Sequence, residues 1–182
     1  LACAEADLVV IALPPLATAA ILPRLASFCN DHAIITDVAS VKGNVVEAVE
    51  KLPIDFSSRF VPGHPIAGSE KSGYLASNAG LFAKRNIILT PLANNSSDSL
   101  RLVSAMWRAL DANMLAMSVK HHDEVLAATS HLPHLLAYSI VDVLAKQEKS
   151  GDIFRYAAGG FADFSRLASS DARMWSDIFV AN

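Results

Sequence analysis

The sequence predicts an α/β fold, a doubly wound and largely parallel sheet followed by an all-helical unit. Three observations predict it. Leu8 to Leu13 is an unbroken apolar run between Asp7 and the pair Pro14-Pro15, the pattern of a buried parallel strand. Strand-like and helix-like stretches then alternate as far as Met117, as βαβ units require. Beyond Ser118 no strand pattern remains, which sets an expected boundary near residue 118. The expected units are residues 1–118 and 119–182.

Each element has its own signal. Thr18 to Phe28 carries apolar residues at helical spacing (Ala19, Leu22, Leu25, Phe28), with Pro23 as a weak point. Ala33 to Val38 reads as a second strand with Asp37 at its carboxyl end, and Gly43 to Leu52 as a helix facing inward through Val45, Val46, Val49 and Leu52. Arg59 to Val61 is a short third strand, and Asn86 to Thr90 a fourth, stopped by Pro91. Asp98 to Leu110 is helical, with Ser97 or Asp98 as N-cap, and Asn113 to Met117 closes the sheet. Asp123 to Lys149 predicts one helix kinked at Pro133, and Phe164 to Val180 a last one.

Composition narrows the function classes. At 52% apolar and 18% charged residues the chain can bury a sizeable core, which argues against disorder. A net charge of −3 without a basic stripe argues against nucleic acid. Prolines 14, 15, 23 and 133 break the apolar runs below bilayer length, so no membrane partner is expected. Cys3 and Cys29 lack metal-type spacing, and two thiols fit a reducing, cytoplasmic setting.

In an open α/β sheet ligands bind beyond the carboxyl ends of the strands. Pro14-Pro15, the stretch Asp37 to Lys42, and His64 all fall there. His64 is framed by Pro62, Gly63, Pro65 and Gly68, with Gly73 close behind, which predicts a loop shaped around one imidazole. A histidine so held can serve as a general base near neutral pH, or simply bond to backbone. Ser40 can orient a substrate hydroxyl, or cap the following helix. Ser130, His131 and His134 flank Pro133 within an apolar helix, which points to a polar pocket. His131 and His134 at i, i+3 suit a metal, but only His121 and His122 offer further ligands, so no metal is expected. Arg166, near Gly159-Gly160, has a fork matched to a carboxylate, the alternative being a surface pair with Asp163. Trp175 reads as core, facing away from Arg166 if the helix is continuous.

No G-x-G-x-x-G occurs, although a dinucleotide fold opens on such a turn. The expectation is that a Gly-rich first βαβ unit lies upstream of Leu1.

Taken in order, ADLVVIALPP, TDVASVKG, FVPGHPIAGSEKSG, LTP, HHDEVLAATSHLPH and GGFADFSRLASSDARMW resemble the prephenate/arogenate (cyclohexadienyl) dehydrogenase family of tyrosine biosynthesis, over nearly the whole chain. The resemblance implies a partial Rossmann-like domain followed by a helical substrate and dimerisation domain that is incomplete here. It implies NAD or NADP as cofactor, a homodimer, and oxidative decarboxylation of prephenate or arogenate. It also implies residue roles. His64 would take the proton of the ring hydroxyl, with Ser40 bonded to His64 or to that hydroxyl. Arg166, His134, Ser130, His131 and Ser69 would hold the substrate, with Glu70 nearby. Pro14, Pro15, Ser40 and Lys42 would border the cofactor. Ala162 stands where the family usually carries a basic residue, and Ala39 where glycine is frequent. Two other readings are a β-hydroxyacid-type dehydrogenase, for which Lys146 and Lys149 lie too far from the Pro133 kink, and a non-catalytic fragment that binds substrate or regulates.

Overall fold

The computed structural model describes residues 3–68 and 74–182. Its first half runs β1 (Leu8–Ile11), α1 (Pro15–Phe28), β2 (Ile34–Asp37), α2 (Gly43–Glu50), α3 (Ile54–Ser57), β3 (Phe60–Val61), β4 (Gly63–Pro65), a 3₁₀ turn (Tyr74–Ala76), β5 (Asn86–Leu89), α4 (Ser97–Ala109) and β6 (Asn113–Ala116). The second half holds α5 (Val119–Leu126), a π turn (Ala127–His131), α6 (Leu132–Ala145), α7 (Ser150–Arg155), α8 (Gly159–Ser165), a 3₁₀ turn (Arg166–Ser169) and α9 (Ala172–Ala181).

β1, β2 and β3 form a parallel three-stranded sheet in that order, with Ile11 opposite Asp37 and Thr36 opposite Val61. β4, β5 and β6 form a second, in which β5 and β6 are parallel and β4 and β5 antiparallel. Pro62 separates β3 from β4, so one run of chain passes from the first sheet to the second. One apolar cluster (Ile11, Leu22, Ile35, Val45, Val49, Phe60) packs under α1 and α2, and another (Val61, Ile87, Leu89, Val103, Trp107) under α4, so helices cover both faces. At about 25 cal/mol per Å², burying side chains of this size is worth roughly 1.5–3 kcal/mol each before entropy is charged against it.

Several expectations change. β1 is not buried on both sides: Val10 is 43% exposed, and among the described residues β1 pairs only with β2. His64 lies in β4 opposite Ile88, not in a free loop. The helix cap before α4 is Ser96, whose hydroxyl accepts from Ser99 N at 3.1 Å, one residue before the expected pair. Helix α1 starts at Pro15, where proline's missing N–H costs nothing, and runs through Pro23 on its exposed side.

The helical half is more segmented than its periodicity suggests. α5 begins at Val119, capped by the Ser118 hydroxyl, which accepts from His121 N at 3.3 Å. Pro133 does not kink a continuous helix. The backbone slips into a π turn just before it, with Leu132 N–H bonded to Ala127 O five residues back, and proline falls in the first turn of α6, where it is tolerated. The expected final helix is also broken. Asp171 caps a new start, its Oδ1 accepting from Arg173 N at 2.8 Å and Met174 N at 2.9 Å. The inference that Trp175 faces away from Arg166 on one continuous helix therefore does not hold.

Candidate active site

His64 is 8% exposed, and its backbone is pinned by the pairing of β4 with β5. Its Nδ1 lies 2.8 Å from His122 Nε2, with the two rings meeting edge to face at 67°. His122, at 0% exposure, places Nδ1 2.7 Å from Asp123 Oδ1. The Asp123 carboxylate also accepts from Lys42 N at 2.9 Å and Gly43 N at 2.7 Å, two of the free donors at the start of α2. A chain of contacts thus runs from β4 through α5 to the N-terminus of α2. Gly43 makes room for it, since a Cβ there would stand 2.8 Å from Asp123 Oδ2.

A second buried network lies beneath. The Lys42 ammonium bonds to Asp37 Oδ2 and, at 2.6 Å, to Gly63 O. Asp37 further accepts from Ala39 N at 3.0 Å and Gly63 N at 3.2 Å. Gly63 is required by close approach, because an added Cβ would meet the Asp37 carbonyl at 3.1 Å. Together these contacts clamp the peptide immediately before His64.

The electrostatics follow from burial. Desolvation holds His64 well below the usual histidine range, helped by the neighbouring Lys42, His122 and His131 and opposed by Asp123. His64 is therefore a neutral imidazole at pH 7. Burial works against ionisation of Asp123, yet hydrogen bonds from His122, Lys42 N and Gly43 N outweigh it and lower the carboxyl. Burial also depresses Lys42, against the pull of Asp37 and Asp123, and lowers His131.

The other expected residues divide. Lys42 is wholly buried in its ion pair and cannot border a cofactor. Ser40, half-buried at the carboxyl end of β2, does not bond His64, whose described partner is His122. Nor does Ser40 cap α2, since Asp123 does so from the helical half. Pro14 is exposed at the end of β1, and Pro15 is buried in the first turn of α1.

In the helical half, His131 is buried, its Nδ1 3.0 Å from Asn182 Nδ2. His134 Nδ1 donates to Ser130 O at 2.9 Å, and its ring stacks on Trp175 at 3.6 Å and 17°. Trp175, 7% exposed, packs with Val41 and Ile178, so it joins the His134 wall to the first half of the chain. Arg166 is exposed on its 3₁₀ turn, which packs against α6, and among the described residues its side chain enters no ion pair, with Asp163 or any other. Ser69 and Glu70 lie outside the described residues. No group of three or more metal-ligating side chains occurs among the described residues. No helix there is long and apolar enough to cross a membrane.

Sequence reasoning missed His122 and Asp123 as members of this site. The signal was the pair His122-Asp123 just after the predicted boundary, where His122 reads only as a spare metal ligand and Asp123 as the start of a helix. A groove of about 760 Å³ between α2 and α5 reaches Asp123 but none of His64, Ser40 or Arg166. Glu47, Glu50 and Glu124 on its wall disfavour an anionic ligand.

Comparison with known proteins identifies the family. The family model for the prephenate dehydrogenase nucleotide-binding domain matches residues 2–116, and that for the prephenate dehydrogenase dimerization domain matches residues 118–182. The chain is 38% identical over 181 residues to the cyclohexadienyl dehydrogenase of Zymomonas mobilis, covering 98% of this chain and 61% of that protein. It is 38% identical to the prephenate dehydrogenase of Bacillus subtilis, covering 98% of this chain and 48% of that one. A crystal structure of Aquifex aeolicus prephenate dehydrogenase in complex with hydroxyphenyl propionate and NAD+ superposes with a TM-score of 0.87 at 39% identity, covering 96% of this chain and 60% of that one. The chain thus spans about half to three-fifths of the length of these relatives. Both matched domains occur here in order and cover almost all 182 residues: the chain belongs to the prephenate dehydrogenase family.

Proposed function

We propose that the protein containing this chain is an NAD(P)-dependent dehydrogenase that oxidatively decarboxylates prephenate, arogenate or both, as a cytoplasmic homodimer. Residues 1–118 serve the cofactor and 119–182 the substrate and the dimer. The observation that carries this reading is His64: a neutral, buried imidazole with one ring nitrogen held by His122 and no hydrogen-bond partner on the other among the described residues. Family membership and the named relatives support the substrate class.

The residues present fit the nicotinamide end of a cofactor. Leu13 and Pro14 are exposed at the carboxyl end of β1, the Ser40 side chain is half-buried at that of β2, and among the described residues no side chain caps the N-terminus of α1. Lys42 takes no part. When bound, the cofactor supplies the acceptor for the hydride leaving the ring carbon that bears the hydroxyl.

This chain's side chains do the rest. His64 Nε2 accepts the hydroxyl proton as the ring ketone forms. Loss of the ring carboxylate as CO₂ leaves its bonding electrons in the new aromatic ring, and His64 returns its proton to the phenolate oxygen. Ser40 holds the hydroxyl in line. Arg166 binds a carboxylate with its fork, while His134, Ser130 and His131 form the wall that positions the ring. Aromatisation drives the reaction, so orientation is the protein's main task.

The test is an assay of the full-length protein for CO₂ and reduced cofactor, with prephenate and arogenate against NAD and NADP. His64→Asn should lower turnover about 10²- to 10⁴-fold, the usual worth of a general base. Near-normal turnover in that variant removes His64 from the role.

A further inference from the structure

His122 and Asp123 have no role in the reading above, yet both are held by close polar contacts in the site. His122 is completely buried between two partners, His64 on Nε2 and Asp123 on Nδ1. Each end of this arrangement constrains the next. Asp123 is ionised, so it only accepts hydrogen bonds, and it already takes the N–H groups of Lys42 and Gly43. His122 Nδ1 must therefore be the donor to Asp123. With its proton on Nδ1, His122 turns Nε2 to His64 as an acceptor for His64 Nδ1–H. His64 is left with a bare Nε2.

We infer that His122 and Asp123 are positioning residues that fix His64 in the tautomer whose Nε2 is free to take a proton. This rests on the reading of His64 as the base. It adds two residues that touch neither the substrate nor the reacting atoms and act through the imidazole. The same geometry steadies the imidazolium once it forms, since the new charge faces an Asp123 carboxylate one ring away. Among the described residues, Lys42 and His131 near His64 both oppose that charge, and Asp123 compensates it.

The arrangement also joins the two halves of the chain. Asp123 lies just beyond the segment matched as nucleotide-binding domain, and its carboxylate caps a helix within that segment. Gly43 is part of the device, since any Cβ there would push the carboxylate away from His122.

The decisive measurement is the imidazole nitrogen spectrum of full-length protein labelled with ¹⁵N-histidine, at neutral pH. The His64 signals are identified by their loss in His64→Asn. The expected result is a protonated Nδ1 and an unprotonated Nε2 on His64. A protonated Nε2 would mean that His122 donates to His64, and it would overturn the inference without any variant having to fold. Asp123→Asn presents an amide that can turn its NH₂ toward His122. It should invert or mix the tautomers of both rings and lower kcat about a hundredfold, with KM changed only a few-fold. Gly43→Ala should shift the same signals in the same direction, with a smaller loss of kcat. If Asp123→Asn keeps both the wild-type tautomer and the wild-type kcat, the positioning role is wrong. Failure of the base reading is separate: His64→Asn would retain turnover while the wild-type tautomer stood as expected.

Discussion

His64 and Arg166 sit in contrasting surroundings. His64 is enclosed, its backbone held by a strand pair, its ring by His122, and the peptide before it by a buried ion pair. Arg166 projects from an exposed 3₁₀ turn and has no ion-pair partner among the described residues. The base must present one nitrogen in one tautomer, so it is over-determined by partners that also suppress its charge. The carboxylate-binding group must keep its charge and meet an incoming anion, so water is a suitable resting partner. A fully enclosed arginine would already have spent its hydrogen bonds elsewhere.

The sharpest way to break this comparison is through the support beneath His64. Lys42→Ala should destabilise the fold by about 3–5 kcal/mol, because it strands the Asp37 carboxylate in the core. Denaturant unfolding measures it, and a loss below about 1 kcal/mol would show that the enclosed side is not held as described. Next comes Arg166→Ala. With one charged hydrogen-bonding group gone, KM for the dicarboxylate should rise roughly 10- to 100-fold, about 1.5–3 kcal/mol, while the unfolding midpoint stays put. An unchanged KM would take Arg166 out of the substrate site.

A smaller effect concerns pH. His64 and His131 have folded-state pKa values below that of a free histidine, near 6.5. The unfolded chain therefore binds more protons than the folded one. Their contribution to stability is complete above about pH 6.5 and is lost as pH falls below it, by at most about 1.4 kcal/mol per pH unit for each ring. The lowered Asp123 pKa acts in the same direction further down, below about pH 4. Thermal unfolding between pH 7 and 5 should show a falling midpoint, and His64→Asn should flatten the slope. A midpoint that rises on acidification would contradict the burial of neutral histidines.

What the sequence made legible tracks how local each signal is. The runs Leu8–Ile11 and Asn86–Leu89 announced themselves as strands because their partners matter less than their own apolar character. His64 stood out through its neighbours Pro62, Gly63 and Pro65. The start of α2 was illegible because its cap is Asp123, eighty residues away, where local reasoning could offer only Ser40. The resemblance put Lys42 beside the cofactor, and nothing nearby in sequence shows that Asp37 and the Gly63 carbonyl close over it. The break at Ser170-Asp171 was hidden by apolar spacing that continues across it, although an aspartate two residues before Arg173 is a cap signal. The fold was thus readable from patterns within segments, and half of the site was not, because it is made of contacts between them.

The π turn at Ala127–His131 has a further consequence. One extra residue in a turn is worth about 100° of helical phase. α5 upstream is set so that His122 and Asp123 meet His64 and the start of α2. α6 downstream is set so that His134 lies flat on Trp175 and the Tyr138 hydroxyl donates to Ser170 O at 2.7 Å. A plain α-helix through the same residues would have to forfeit one of these alignments. The slip works like a universal joint locked at one angle, allowing a single rod to keep two appointments that the regular helical repeat would make incompatible.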